Sequence, residues 1–453
     1  EMCIRDRFDA LFATEGNVAL NRLEIDSGSV QLSANAATLE DGFLSRLNVD
    51  LSLAPTQDAR LELPFGTTSQ TIAGASLTIS SDVSNSEDWR SDLRMSDLRR
   101  SDMNLDEVAL QAFGVVENAN DPTRRQVTHQ FEGAVTGIAA TKPAVAQAIG
   151  TQISTRGSGV WTPAIGMKID DFSITGETLK VAANGVLSGG TFDGNIELET
   201  ADLNAFSFLA GRRLGGATAL MAQGTIELIG GSFDLTLEGA GRSMQVDIEP
   251  VDNLLRGTTS LFGGVARNTE GLSFRNFEVS NDQAELNLNG RFASDIADLT
   301  GQALIRNIAS ISPNGTGPLT LDLSLNGQQT PFDLMAKLGL KEGSLSGKPV
   351  RDIALVFDGR TDGETLTGDL SGDGFIDRQR LTLAGRVATS ESTRSLTGLR
   401  LNIGATDIEG DLAMSAGGLI DADLTIQSRD IGPVAALGLV RASGEVNGTI
   451  RLQ

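Results

Sequence analysis

The sequence predicts an all-β protein dominated by antiparallel sheet with one apolar face and one wet face. Three observations predict it. Short runs alternate apolar and polar residues, as in Pro318–Gly327, where Leu319, Leu321, Leu323 and Leu325 fall at every second position. Successive strand side chains point to opposite faces, so these leucines share one side. The runs break at Gly, Asn or Asp, and Asn326-Gly327 predicts a hairpin turn because both residues tolerate positive φ. The pattern then returns at Phe233/Leu235/Leu237, Leu286/Leu288/Phe292, Ile408/Leu412/Met414 and Ala422/Leu424/Ile426.

Composition limits what such a sheet can do. The chain has 453 residues, enough for about two to four ordinary domains. Its 36 basic and 59 acidic residues leave a net charge of −23, which argues against a nucleic-acid partner. The 52 glycines and 11 prolines fit many turns and bulges rather than a disordered linker. Tyrosine is absent and aromatics are sparse, so stacking sites for bases or sugars are not expected. Cys3 is the only cysteine and forms no intramolecular disulfide. No stretch approaches the roughly eighteen apolar residues of a membrane span. The most apolar run, Ile431–Val440, is short and holds Gly432 and Pro433.

Glu1–Arg7 differs in style from the rest of the chain and reads as a non-native leader, a translated sequencing adapter. Residues 8–453 read as one continuous repetitive segment without a clear internal boundary, an internal fragment of a longer protein. Within it, one module is traced three times. An alternating strand leads to a strand with a central glycine, then to a third strand that ends in a small helical cap. The first copy is Ile169–Ile174, Leu179–Leu187, Asn195–Leu198 and the cap Ala201–Phe206. The second is Leu272–Phe274 with Phe277–Val279, Ala284–Phe292, Gly301–Ile305 and the cap Ile308–Ile311. The third is Leu399–Ile403, Asp407–Leu412, Ala422–Ile426 and the cap Ile431–Leu437.

Alternation is weakest over Asn85–Asp106 and Glu117–Arg125. The first mixes Arg90, Arg94, Arg99 and Arg100 with Asp92, Asp97 and Asp102, which reads as a solvated strand face or loop, with a headgroup-facing or partner-facing patch as the alternative. Two segments read as short helices. Pro143–Gly150 has Pro early and Gly late, and Ile431–Val440 opens on Gly432-Pro433. Helices this short need the sheet for stability, as caps or as lining of its apolar face.

Catalytic stock is thin. His129 is the only histidine and lies in an alternating context, so it reads as an ordinary strand residue. No nucleophile elbow, P-loop or dinucleotide turn is present, and no cluster of His or Cys could hold zinc. Asp369–Asp377 spaces oxygens like the start of a calcium loop, but Arg380 stands where a glutamate is needed. A β-turn at Asp373-Gly374 is the expected reading. Acidic pairs such as Asp170/Asp171 and Glu40/Asp41 are expected on solvated faces. No enzyme, metal or cofactor is therefore expected. The apolar face itself has two readings, a dry core or a partly open trough, and alternation does not separate them.

The glycine-centred strands Leu286–Phe292 and Leu381–Val387, the caps after third strands, the Ala-rich Pro143–Gly150 turn and the Gly/Ser/Thr-rich Gly66–Ser81 strands carry a resemblance. In these the chain resembles the TamB family of the AsmA-like superfamily, in its alphaproteobacterial form, over almost its whole length. The resemblance implies a long curved antiparallel sheet forming an elongated groove, a β-taco, with a few short capping helices. It implies a segment of a periplasm-spanning bridge that shields and conducts phospholipid between inner and outer membrane, linked to outer-membrane assembly. Phospholipid acyl chains would be the ligand. The inner membrane would be met through an N-terminal anchor, and a TamA-like outer-membrane barrel through a C-terminal domain, both absent here. A sixteen-carbon chain left in water costs about 12 kcal/mol at roughly 0.8 per methylene, so a carrier must cover it throughout.

The residues expected to line the groove are Leu179, Val181, Ile196, Leu198, Phe233, Leu235, Leu237, Leu286, Leu288, Phe292, Leu319, Leu321, Leu323, Leu325, Leu381, Leu383, Ile408, Leu412, Leu424 and Ile426. A bulge would flip any such run. Two other functions fit the same pattern. One is an extended surface β-solenoid with a dry core, as in an adhesin or autotransporter passenger. The other is a chaperone-like module whose strand edges pair with outer-membrane proteins.

Overall fold

The structure, a computed structural model, describes residues 7–12, 18–55, 59–63, 70–141 and 150–452. The expected helix Pro143–Gly150 lies almost wholly outside the described residues. The chain divides into two compact units, residues 1–230 and 231–453. Both are antiparallel β-sheet.

The first unit begins with β1 (Arg7–Phe12), β2 (Val18–Asp26), β3 (Val30–Thr38), β4 (Leu44–Leu53), β5 (Leu61–Glu62), β6 (Gln70–Ile72), β7 (Gly74–Asp82) and β8 (Ser86–Arg100). It continues with β9 (Met103–Glu117), β10 (Gln126–Thr136), β11 (Ala139–Ala140), β12 (Gln152–Thr162), β13 (Gly166–Thr175), β14 (Leu179–Ser188), β15 (Thr191–Thr200) and β16 (Gly215–Glu227). The second unit holds β17 (Phe233–Gln245), β18 (Thr258–Asn268), β19 (Gly271–Ser280), β20 (Ala284–Phe292), β21 (Ala297–Ile305), β22 (Gly315–Thr316), β23 (Leu319–Gly327) and β24 (Phe332–Leu345). It ends with β25 (Lys348–Thr361), β26 (Leu366–Ile376), β27 (Gln379–Thr389), β28 (Thr393–Ile403), β29 (Thr406–Ser415), β30 (Ile420–Ser428) and β31 (Val446–Leu452).

In each unit the long strands pair with their neighbours in chain order, as a meander. β4 pairs with β7, β10 with β12 and β21 with β23, so the short strands between them stand aside. No pairing among the described residues closes either sheet into a barrel. The all-β antiparallel class and the short capping helices read from the sequence are therefore what the fold contains.

The departures from the meander all fall at one rim. In the first unit these are the segments before β7, before β12 and before β16, the last holding a 3-10 turn Leu203–Phe206 and a helix Ser207–Ala210. Ile72, Ile138 and Ala205 of these segments are buried. In the second unit the helix Glu249–Leu254, the 3-10 turn Ile308–Ser310 and the helix Gly432–Leu437 likewise share one rim. The opposite rims carry only short connections and leave Ile165, Leu228, Ile229 and Leu419 exposed.

Two turn expectations are corrected. Asp373-Gly374 is not a turn: both lie inside β26, and the chain reverses at Asp377-Arg378, with φ of 50° and 65°. That pair makes the two-residue hairpin, because consecutive positive φ values match the strand twist. Asn326-Gly327 is also still strand, with Asn326 opposite Asp333, and the loop lies beyond it. Asn85–Asp106 is mostly the regular strand β8, whose Arg90, Asp92 and Arg94 face the wet side.

Glu117–Arg125, the other segment of weak alternation, is the end of β9 and the β9–β10 loop. The Arg125 guanidinium is buried, donates to Asp41 Oδ2 at 2.7 Å and to the Ala119 carbonyl at 2.6 Å, and lies 4.0 Å from the Phe43 ring. It ties the β9–β10 loop to the β3–β4 turn, and its proximity holds the Asp41 carboxyl below the usual range. Arg125→Met is expected to free residues 118–125. Hydrogen exchange should show faster exchange in that loop and in 39–43, with β14–β15 unaffected.

Candidate functional site

Directly opposed residues on antiparallel neighbours share a face, so strand register defines each surface. In the first unit Val181 faces Leu198 and Leu198 faces Leu220, while Ile196 faces Ala222 and Leu179 faces Thr200. The same side continues through Leu93 opposite Leu77 and Leu110, and Leu51 opposite Leu32. In the second unit one row runs Leu288, Gly301, Leu323, Ala336 and another Leu286, Ala303, Leu321, Leu338. Leu325 faces Leu299, Leu319 faces Ile305, and Phe292 faces Ala297. Farther along, Leu383 faces Leu401, Leu401 faces Ile408, Ile408 faces Ile426, and Leu412 faces Ala422. Leu381 faces Ile403, and Leu424 faces Gly410. Phe233, Leu235 and Leu237 join through Arg267, Val265 and Gly263. Within each unit, the expected lining residues therefore fall on a single face.

Bulges keep that face apolar rather than flipping it. In β13, Ile169 and Phe172 are three apart, yet they face Gly185 and Ala183, which are two apart. The extra residue falls at Asp170-Asp171. β19 repeats this with Phe274 opposite Gly290 and Phe277 opposite Leu288, and β28 with Leu399 opposite Gly410 and Leu396 opposite Leu412. An inserted residue restores the alternation on both sides of it. The glycine opposite each bulge is required by close backbone approach. A Cβ on Gly290 would lie 1.9 Å from the Asp298 carbonyl oxygen, and one on Gly410 2.0 Å from that of Asp423.

The caps share a local cause as well. Asp202, Asn307 and Asp430 follow the third strand of each module, and their side chains accept the N–H of Asn204 (2.9 Å), Ala309 (3.1 Å) and Gly432 (3.0 Å). This turn satisfies a free N–H at the start of each cap. Backbone donation to Asp430 also lowers its pKa.

Exposure divides the face. In the first unit Leu179, Val181, Ile196 and Leu198 are half-buried, as are Leu77, Leu93 and Phe131. No buried hydrophobic cluster forms there among the described residues; both such clusters lie in the second unit. There Leu381 (2% exposed), Ile408 and Ile426 are packed as floor, while Leu321 (37%) and Phe292 (42%) remain open. Against the capped rim of the second unit lies a cavity of about 400 Å3 walled only by Ile and Leu side chains. On its wet face a shallower hollow of about 500 Å3 is lined mainly by polar groups, including Gln302 hydrogen-bonded to Asp322 at 3.0 Å.

His129 sits on the apolar face of the first unit, opposite Gly159 on β12. Trp89, two strands away, donates its indole N–H to the Thr128 carbonyl at 3.0 Å, so this aromatic has its polar atom satisfied. Burial pushes the His129 pKa below its ordinary value, and the Asp170 charge draws it part of the way back. The unfolded chain then binds the proton more tightly, so stability falls as pH drops from above about 6.5 through the folded value. Urea unfolding of wild type and His129→Gln at pH 7.5 and 5.0 should show a smaller acid loss in the variant. No group of three or more His, Cys, Asp or Glu among the described residues could hold a metal ion. No described helix is long and apolar enough to cross a membrane.

No family model, no curated protein and no solved structure matches the chain.

Proposed function

We propose that the chain is a non-enzymatic segment of a periplasmic bridge that shields the acyl chains of phospholipid and conducts them along its apolar faces. One observation supports this above the others: the aliphatic face of the first unit runs in register through β14, β15 and β16 yet is only partly buried, with no buried hydrophobic cluster among its described residues. Contiguous exposed apolar surface is costly in water and marks a place where something apolar binds. A dry-cored solenoid would bury those side chains against one another. A hydrocarbon chain needs only dispersion contacts and exclusion of water, which aliphatic rows provide without polar partners. Near-equal neighbouring rows also avoid a deep well, which sliding requires. The link to outer-membrane assembly rests on the family resemblance.

The test is photo-crosslinking in cells. A photoreactive amino acid at Val181 or Leu235 should capture phospholipid, whereas one at the wet-face position Thr382 should not. Capture of unfolded outer-membrane protein at Val181, with no lipid adduct, would instead support the strand-pairing function.

A further inference from the structure

The second unit departs from a uniform trough at one place, the aliphatic cavity against its capped rim. Three features make it a bounded chamber rather than a stretch of channel. Its floor crosses β26 at Gly372 and Gly374, two apolar-face positions without side chains. Leu355 and Ile353 lie over them, within 2.4 and 2.7 Å of where a Cβ would stand. Its roof comes from two caps, Ile308 and Ile311 on one side and Leu437 and Leu439 on the other. These are joined where Asn314 donates to the Leu439 carbonyl at 3.0 Å. Around it Val350, Ile376, Ile403 and Ala436 pack solidly and include no polar side chain.

We propose that this chamber seats the methyl end of a single unbranched alkyl chain, so that this part of the face holds lipid and measures chain length. The inference rests on the hydrocarbon-carrying function and adds a site to it. The occupant follows from the walls. No lining side chain can pair with a phosphate, carboxylate or amide, so any headgroup stays outside. Water inside it finds no polar partner, so hydrocarbon is the occupant its walls favour. A cavity of roughly 150 Å3 takes six-carbon benzene, so this one, at about 400 Å3, takes on the order of sixteen carbons.

The test uses the full chain and single-chain lysophosphatidylcholines of graded length, with affinity read by titration calorimetry below the micellar concentration. Affinity should rise about fourfold for each added carbon until the chamber is full, then level off at roughly sixteen carbons. Leu437→Phe or Ile311→Phe should move the break to shorter chains, and Leu401→Ala to longer ones. An unbroken rise through about twenty-two carbons, or a break that none of the three variants moves, overturns the chamber while leaving carriage intact. Failure to bind at any length, together with no lipid adduct at Val181 or Leu235, overturns both.

Discussion

Leu323→Glu is expected to lower lipid crosslinking at neighbouring Leu288 at least tenfold while leaving the thermal unfolding of the chain nearly unchanged. Leu323 is half-buried and lies between Gly301 on β21 and Ala336 on β24, so few contacts depend on it. Facing an open trough, a carboxylate there can stay hydrated, which keeps the cost to folding small. A guest alkyl chain crossing that row would have to strip the water from the charge. Desolvating an unpaired carboxylate far exceeds the ~1.4 kcal/mol that corresponds to tenfold. Thr382→Glu, on the wet face of β27, should have no effect on the adduct. Equal adduct yields from the two variants would remove Leu323 from any conducting surface.

Gly290→Val is expected to destabilise the second unit by about 3 kcal/mol or more, the largest folding effect among these variants. Gly290 has φ of 113°, where L side chains are strained. Its Cβ would also stand 1.9 Å from a carbonyl oxygen of β21, a backbone atom that cannot rotate away. To relieve this, β20 and β21 must separate where Phe274 and Phe277 straddle the bulge. Gly347→Val, in an open turn where nothing lies near the Cβ, tests φ strain alone and should cost less. Denaturant midpoints of the two variants compare directly. A Gly290 variant as stable as the Gly347 one would mean that close approach is not what fixes glycine there.

The strand class and the shared face are legible in the sequence because both rest on a period of two. Leu319/Leu321/Leu323/Leu325 states its face outright, and nothing in the tertiary structure overrides it. The bulges are not legible as bulges. Leu272–Phe274 and Phe277–Val279 look like separate runs, and only pairing with β20 shows that they share one face. Turn chemistry misleads at Asp373-Gly374 and Asn326-Gly327, because glycine there serves the face or the strand end rather than a reversal. At Gly374 the missing side chain makes room for Ile353. The sequence locates the caps, but their common Asp or Asn initiator emerges only from the hydrogen bonds of Asp202, Asn307 and Asp430. The helix Glu249–Leu254 escapes sequence reading, since its opening Glu249-Pro250 continues an alternating run without pause. The depth of the face cannot be read from sequence at all. Whether Leu381 is floor and Leu321 is open depends on which caps fold over which strands.

Because every cap within a unit stands on the same rim, the apolar face of each unit is built up along one edge at the capped strands and low along the other. A lipid lodged beside a cap would hang its headgroup over the low edge, since protein stands on the other side there. Travel from row to row would then require no rotation about the long axis of the lipid, and the polar end would never leave water on the way.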